Sequence, residues 1–467
     1  MKRSIIYAAG AIVVGGGLYG IYHMTMNTGP DPERIREEVS KAIPELEEQG
    51  VTFADWELQD DNILVFTDIE ARFDDPQPPM LLTAEEARMT VTMEGAIRNR
   101  MNDFQASNIE FRDAESGKVG LKAASASAPW IGLEEIEDRG LRPNYDQVVL
   151  HELSSGENAP AGDMTLESMT FSEPRHGLPR LTVLEEGAFT EDGESLTFES
   201  LEVAVRPELI EGYSQPDYAP SDSGVPELLG SFETITATNV TLDTDDIDKE
   251  TIDDLAIETG LDEENYANFL KITASGKEGL GESLEEGTDE YKIAQVVVGP
   301  EPGTSEMSLS VSLDRAQGTM KVGPTRFAIS DSFDIGLTGN LEGIAMDDLS
   351  GDPEQQLENL MLRDLSLDVA DQGIIDRYLD FAAEEEGMPR EELETMMLTG
   401  MESTFQGSIG LEPEQVEALT SFIRNPGQSG TLTITLNEPA PLVQVALAAA
   451  MFPRKIVENA DIQITID

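Results

Sequence analysis

The chain has 467 residues, 39% of them hydrophobic, so it can bury a core and is long enough for two or three domains. It contains no cysteine, which excludes disulfides, thiolate metal sites and cysteine nucleophiles. Its 92 acidic and 30 basic residues give a formal net charge of −62, which argues against a basic patch for nucleic acid or anionic lipid headgroups. The acidic residues are spread over residues 31–467, and this favours a surface adapted to high salt over a cation store or a docking surface for a basic partner.

The N-terminus predicts a membrane anchor over residues 1–27. Lys2 and Arg3 precede an uncharged run at residues 5–24, which is about the length of a bilayer-spanning helix. The basic pair places the N-terminus in the cytoplasm and the body outside, in the periplasm if the cell has two membranes. A cleaved signal peptide is the alternative. Its small-x-small site at residues 15–17 lies inside the apolar run, so an uncleaved, single-pass anchor in a bacterial inner membrane is favoured.

A charged juxtamembrane helix is predicted next, over residues 28–50, with a break or kink at Pro44 and an end at Gly50. From residue 51 onward the apolar residues alternate with polar ones, which indicates half-buried strands joined by short turns. The first predicted strands are 62–73, 80–93, 103–113 and 118–129. Short spacings between them favour antiparallel hairpins.

One short pattern recurs along the chain, in which a polar and small centre is flanked by apolar residues. It occurs at 104–111 (FQASNIEF), 166–171 (LESMTF), 198–203 (FESLEV), 237–242 (ATNVTL) and 362–367 (LRDLSL). The spacing is not constant, so a strict solenoid is excluded. Amphipathic strands resemble one another in general, which explains part of the likeness. The recurring centre indicates one strand type, dry on one face and wet on the other, that is reused along a sheet.

Two segments interrupt this β-rich region, which is predicted to span residues 51–352. Residues 206–230 are rich in Pro, Gly and Ser and predict a loop, and residues 245–272 predict two helices separated by Gly260. Strands are predicted again at 291–299, 307–314 and 319–341.

A C-terminal α+β module is predicted over residues 353–467. After a strand come three helices, of which two begin near Pro389 and Pro413, then a strand at 431–436, an apolar helix at 441–452 and a last strand at 461–467. The second helix is rich in Met, which is typical of ordinary core packing and, as the alternative, of an adaptable binding surface.

The sequence contains no constellation typical of catalysis. The three histidines, His23, His151 and His176, form no zinc-binding pair, and neither a nucleophile elbow nor a phosphate-binding loop occurs. Residues 243–254 are acidic, but Asp248 stands where a calcium-binding EF-hand requires glycine. We therefore predict no catalytic, cofactor-binding or metal-binding residue, and a protein that is not an enzyme.

The single anchor, followed by amphipathic strands with an L-x-D/E-L/V-x-L signature over residues 1–350, resembles the AsmA-like proteins of bacterial envelopes. It is also similar to uncharacterised single-anchor periplasmic proteins that end in a helical module and a strand. The AsmA-like resemblance implies an elongated, curved antiparallel sheet with an apolar concave face, and a role in lipid transport or outer-membrane assembly. The chain is short for a bridge between membranes and its strands are acidic. No residue role carries over, because the family has no point motif.

Two functions follow as expectations. The first is a membrane-anchored periplasmic protein that binds or passes a phospholipid or acyl chain along an apolar sheet face. The alternative is a non-catalytic envelope scaffold that binds a protein partner. An open apolar groove would favour the first and a closed core would favour the second, because an apolar sheet face must be covered by something.

Overall fold

The protein is mainly β, with a few helices, in a computed structural model. The structure describes residues 31–48, 50–73, 79–91, 100–136, 140–156, 162–175, 178–191, 193–207, 232–244, 250–261, 267–278, 288–299, 303–314, 316–343 and 360–467. The chain divides into two compact units, an N-terminal unit of Met1–Ser221 with Ser231–Glu250 and a C-terminal unit of Asp222–Gly230 with Thr251–Asp467.

The N-terminal unit begins with one helix, α1 (Pro32–Glu48), and continues as a meander of strands. These strands are β1 (Val51–Thr52), β2 (Asp55–Gln59), β3 (Ile63–Phe73), β4 (Met80–Thr90), β5 (Arg100–Asp113), β6 (Val119–Ile136), β7 (Gly140–Tyr145), β8 (Gln147–Ser155), β9 (Asp163–Arg175), β10 (Leu178–Glu191), β11 (Glu194–Val205) and β12 (Phe232–Asp243). The pairings described within this unit are antiparallel. From β3 to β12 each strand pairs with its neighbour in the chain, with β7 and β8 sharing the length of β6.

The C-terminal unit continues the same plan with helices inserted between strands. Its strands are β13 (Glu250–Leu261), β14 (Ala267–Glu278), β15 (Gly303–Asp314), β16 (Thr319–Ile329), β17 (Phe333–Glu342), β18 (Met361–Asp371), β19 (Ser429–Pro441) and β20 (Ala460–Ile466). Its helices are α2 (Asp289–Val298), α3 (Ile374–Glu386), α4 (Arg390–Ser403) with a π-helical turn (Thr404–Ile409), α5 (Pro413–Arg424), α6 (Leu442–Met451) and α7 (Pro453–Asn459). Each strand pairs antiparallel with the next one in the chain.

One face of the N-terminal sheet is apolar and largely buried, and we call it the dry face. Its residues are paired directly across neighbouring strands. One cross-strand row joins nine strands, from β3 to β12: Phe66, Ala87, Ala106, Ala126, Leu150, Met169, Leu184, Leu201 and Ala237. Phe66, Ala87 and Leu150 have no exposed surface. Burial of this row stabilises the unit, since apolar area removed from water contributes about 25 cal/mol per Å².

Four of the five occurrences of the recurring sequence pattern lie on a line of bulges across this sheet, and the fifth, at 362–367, lies on β18 of the C-terminal unit. The ladder pairing skips one residue at the same height in each of nine strands, which together we call the bulge line: Asp68, Glu85, Asn108, Ala124, Glu152, Glu167, Glu186, Glu199 and Asn239. All nine are exposed. On every second strand the residue has a left-handed backbone, with φ between 46° and 50°, at Asp68, Asn108, Glu152, Glu186 and Asn239.

An extra residue in each strand shifts the alternation by one position, so the dry face follows the spacing i, i+2, i+5, i+7. In β5 these positions are Phe104, Ala106, Ile109 and Phe111, and all four are buried. The sequence FQASNIEF therefore encodes two short strand segments whose apolar side chains point to the same face of the sheet. A strict period of two, as the alternation predicts, would have turned the second half outward.

A helix is confirmed within the predicted range 28–50: it is α1, which buries Ile35, Val39 and Leu46 and contacts β1. The predicted break at Pro44 is wrong, because the helix continues to Glu48 with Pro44 on its exposed side. Proline lacks only one backbone donor, and the apolar stripe of this helix holds the remaining turns in place.

The two helices predicted at residues 245–272 are also wrong. The structure describes β13 and β14 there, which pair through Leu255 with Ala274 and Ile257 with Ile272. Acidic residues that favour helices misled the prediction. The alternation of Leu255, Ile257 and Leu261 faces a matching alternation on β14, and tertiary pairing overrides propensity.

The strand predicted at residues 291–299 is α2 in the structure. The hydroxyl of Thr288 accepts a hydrogen bond from the backbone N–H of Tyr291 at 3.2 Å and caps the helix, which Gly299 ends with a φ of 97°. A run of β-branched valines suggested a strand, but the cap at one end and the glycine at the other define a helix.

The helices and strands predicted in residues 353–467 are confirmed. β18 pairs with β17 over its whole length, so the strands of residues 353–467 extend the same sheet, and the compact units divide near residue 250. The predicted anchor at 5–24 and residues 208–230 of the loop predicted at 206–230 lie outside the described residues. Within the part that is described, no helix combines the length and the apolar character that a membrane crossing needs.

Candidate functional site on an open sheet face

The C-terminal sheet presents an apolar strip that crosses four strands in register. Met307 on β15 faces Phe327 on β16, which faces Ile335 on β17, which faces Val369 on β18. Because directly paired residues of neighbouring strands point to the same face, the four side chains lie side by side. We call this set the apolar strip.

Three of the four members of the apolar strip are exposed to solvent, and Val369 is half-buried. The exposed fractions of Met307, Phe327 and Ile335 are 46%, 42% and 36%. Ile329, two residues beyond Phe327 on the same face, is only 4% exposed. This face of β16 therefore changes from buried to exposed between Ile329 and Phe327. The ring of Phe333 contacts that of Phe327, with centroids 5.6 Å apart, and forms the wall at that boundary.

Arg377 on α3 fixes the helices next to that boundary. Its guanidinium donates to the backbone carbonyls of Val296 at 2.8 Å and Asp331 at 2.7 Å, and more weakly to that of Val297 at 3.4 Å. The hydroxyl of Ser332, which is fully buried, also donates to the carbonyl of Val297. One cation thus ties α3, the end of α2 and the β16–β17 turn together.

The opposite face of this sheet is ionic. Arg326 on β16 pairs with Glu306 on β15 and with Asp334 on β17, and the two carboxylates raise the pKa of the guanidinium. Lys271 pairs with Glu258 at 3.2 Å. The strands therefore expose charge on one face and apolar side chains on the other, so the openness of the apolar strip does not reflect a generally apolar surface.

The N-terminal sheet differs, because its dry face is buried over most of its length. The opposite, solvent-exposed face carries the bulge line, in which four consecutive members are glutamates on adjacent strands: Glu152, Glu167, Glu186 and Glu199. The charge of Glu167, together with a hydrogen bond from it, raises the pKa of the Glu186 carboxyl, and Glu199 and Glu185 add to this. Toward one end of the line the amide of Asn108 donates to Glu85, and at the opposite end that of Asn239 donates to Glu199.

Shallow depressions follow the bulge line. One of about 520 Å³ is bordered by Asp68, Glu85 and Asn108, and a second by Glu152, Glu167 and Glu186. Among the described residues no group of three His, Asp or Glu has the geometry to hold a metal ion. The carboxylates of the bulge line therefore concentrate negative charge on this face without forming a metal-binding group.

The remaining candidates from the sequence are dispersed. His151 is half-buried in the middle of β8 and not near a turn, and His176 lies outside the described residues. In the Met-rich helix α4, Leu393 and Leu398 supply the buried contacts, whereas Met396 is 54% exposed. The apolar strip was not predicted, because the alternation of apolar and polar residues predicts an apolar face but not whether another element covers that face.

Residues 326–467 are similar to a family model described as "Uncharacterized protein". The matched segment begins in β16 at Arg326, next to Phe327 of the apolar strip, and extends to the end of the chain. A search of curated proteins found no match.

Proposed function

We propose that this protein is a membrane-anchored envelope protein that holds the apolar part of a lipid against the apolar strip. The observation that carries the proposal is the in-register exposure of Met307, Phe327 and Ile335 on a face where Ile329 is buried and Leu337 is half-buried. Contiguous apolar side chains left in water are unfavourable, and such patches are typical of binding surfaces.

The chemistry of the strip favours an acyl chain. Its members offer methyl, thioether and aromatic surface and no hydrogen-bonding group, so they select for shape and apolarity. Thioether and aromatic side chains adapt to a flexible ligand. The row beyond the strip, Leu337, Leu367, Leu432 and Ile464, is half-buried and continues the apolar surface across β17 to β20.

The anchor at residues 5–24, a periplasmic body and the AsmA-like resemblance belong to the same proposal. An anchored protein has its body close to a lipid source. The resemblance implies lipid transport or outer-membrane assembly, and the apolar strip would be the contact surface for the lipid.

A non-catalytic scaffold that binds a protein partner is the second candidate. The buried dry face of the N-terminal sheet supports it, because a face that is already covered cannot receive a ligand. A protein partner would then use the same exposed strip of the C-terminal sheet. The two candidates differ in what contacts Phe327.

Photocrosslinking distinguishes the two. The full chain is produced in a bacterial host with Phe327→benzoylphenylalanine, which keeps an aromatic ring at the strip. The matched control is Tyr378→benzoylphenylalanine on α3, where the native aromatic residue is 48% exposed, similar to Phe327 at 42%. After irradiation of intact cells the adducts are identified by mass spectrometry.

A lipid-mass adduct at position 327 that is absent at position 378 is the expected result. A protein adduct confined to position 327 would replace lipid binding by the scaffold function. No adduct at 327 from a folded, membrane-localised chain would contradict both.

A further inference from the structure

Helix α6 has a second apolar surface, separate from the apolar strip. Val443, Leu447 and Met451 follow the spacing i, i+4, i+8 and form one stripe, which Phe452 extends. Their exposed fractions are 45%, 57%, 65% and 54%. We call these four residues the α6 stripe.

The opposite side of α6 is packed in the core. Leu442 and Val445 contact a buried cluster of Leu341, Leu362 and Leu436. The helix therefore cannot rotate to bury the α6 stripe without withdrawing these two side chains from the core. The stripe is held outward by the packing behind it.

The charge of the chain changes sign around this helix. Residues 418–457 contain one acidic residue, Glu438, and three basic ones, Arg424, Arg454 and Lys455. In the whole chain acidic residues outnumber basic ones by 92 to 30. This segment, which lies between Glu417 and Glu458, thus has a net positive charge, although Glu458 pairs with Arg454 and the charge of the complete chain argued against a surface for anionic headgroups.

The basic pair lies at the end of the α6 stripe. The Lys455 ammonium is 5.3 Å from the ring centroid of Phe452, and the Arg454 guanidinium is 3.3 Å from Glu458. Lys and Arg next to an exposed apolar helix face are typical of helices that lie in a membrane interface, because the apolar side enters the acyl region while the cations meet the headgroups.

We propose that the α6 stripe with Arg454 and Lys455 docks on the surface of an anionic lipid bilayer. A second copy of the chain is a poorer occupant, because pairing two stripes would bring the two basic pairs together. It would also bring two chains, each with a net charge of −62, close to each other. The docking surface is independent of the apolar strip, which would hold a single lipid.

The test uses a chain that has no native cysteine, so one introduced thiol carries the only label. Full-length Leu447→Cys is labelled with an environment-sensitive fluorophore and added to vesicles of phosphatidylcholine with or without phosphatidylglycerol, some containing lipids with a nitroxide on the acyl chain. The matched control is Met396→Cys on α4, because that side chain is equally exposed and lies outside the α6 stripe. Both variants share the same N-terminus, so any difference between them is local.

A blue shift and nitroxide quenching at position 447 but not at 396, stronger with phosphatidylglycerol, are expected. The double variant Arg454→Glu, Lys455→Glu should weaken both signals at low ionic strength. Equal quenching at both positions, or none at 447 in a chain with a native circular dichroism spectrum, would overturn the proposal. A shift that depends on protein concentration without vesicles would assign the stripe to self-association instead. If Leu447→Cys does not fold, Val443→Cys takes its place.

Discussion

Glu167 and Glu186 lie next to each other on β9 and β10, and their repulsion raises the pKa of Glu186. We expect Glu167→Gln to return this pKa toward its ordinary value, and Glu185→Gln to lower it less, because Glu185 contributes less. Carboxyl chemical shifts followed by NMR during an acid titration would measure both. An unchanged Glu186 pKa in the Glu167→Gln variant would contradict the assignment of the cause.

The same pair has a defined effect on stability. A carboxyl whose pKa is raised in the folded state binds its proton more tightly than in the unfolded chain, so its contribution to stability falls as the pH rises through that pKa. The stability gained by Glu167→Gln relative to the wild type should therefore grow as the pH rises through the folded pKa of Glu186 and then level off. Screening by salt should reduce the gain.

Backbone conformation gives a second prediction on the bulge line. Glu152 has a φ of 49°, whereas Glu167 on the next strand does not have a positive φ. Glu152→Val should destabilise the protein by about 1–2 kcal/mol more than Glu167→Val, because a β-branched residue is strongly disfavoured in the left-handed region. Urea unfolding of both variants in the same salt measures the difference. Equal losses would mean that the left-handed geometry has no energetic role.

The residues of the bulge line were accessible to sequence analysis in part. FQASNIEF and FESLEV were recognised as one motif, and the polar and small centre of the motif lies at the bulge line in both. The spacing i, i+2, i+5, i+7 was also present in the sequence, but strict alternation concealed it. The exposure of Phe327 was not predictable, because it depends on where the cover over Ile329 ends.

At the scale of elements, the bracing by Arg377 gives a third prediction. Arg377→Met keeps the apolar stem but removes three hydrogen bonds to carbonyls of Val296, Val297 and Asp331. We expect a loss of about 1–3 kcal/mol, since hydrogen bonds from charged groups are worth more than neutral ones. Amide hydrogen exchange in α2 should become faster. Arg363→Met, which breaks a surface ion pair with Glu342, is the control and should leave α2 unchanged.

Elements were predictable where local and long-range preferences agree. The helices α3, α4 and α5 have an apolar stripe together with a terminal glycine or proline, and all three were predicted. β13 and β14 were not, because their acidic residues favour helices and their strand pairing depends on residues about twenty positions apart. For α2 the error was the opposite one: a strand was predicted where a helix forms. Its valines favour strands, and only Thr288 and Gly299 mark it as a helix.

At the scale of the whole molecule, the net charge of −62 predicts a dependence on salt. The described acidic residues have few basic partners, and exposed ion pairs contribute little in any case. Raising the KCl concentration from low to molar levels should raise the unfolding midpoint substantially, because screening removes self-repulsion. Glycine betaine, which does not screen charge, is the control. A midpoint that responds equally to both solutes would indicate a general solute effect.

The bulge line crosses each strand at the same position in the ladder, and this limits which insertions or deletions of strands the sheet can accept. In the N-terminal sheet nearly every strand pairs with its neighbours in the chain, and the left-handed residue recurs on every second strand. A hairpin of two strands is therefore the smallest unit after which both the strand direction and the left-handed residue at the bulge line recur. Duplication or deletion of one hairpin would keep every other strand in register, whereas a change of one strand would reverse all that follow. The sheet is in this sense a modular array whose repeat is marked by backbone geometry, although the lengths of its connections vary.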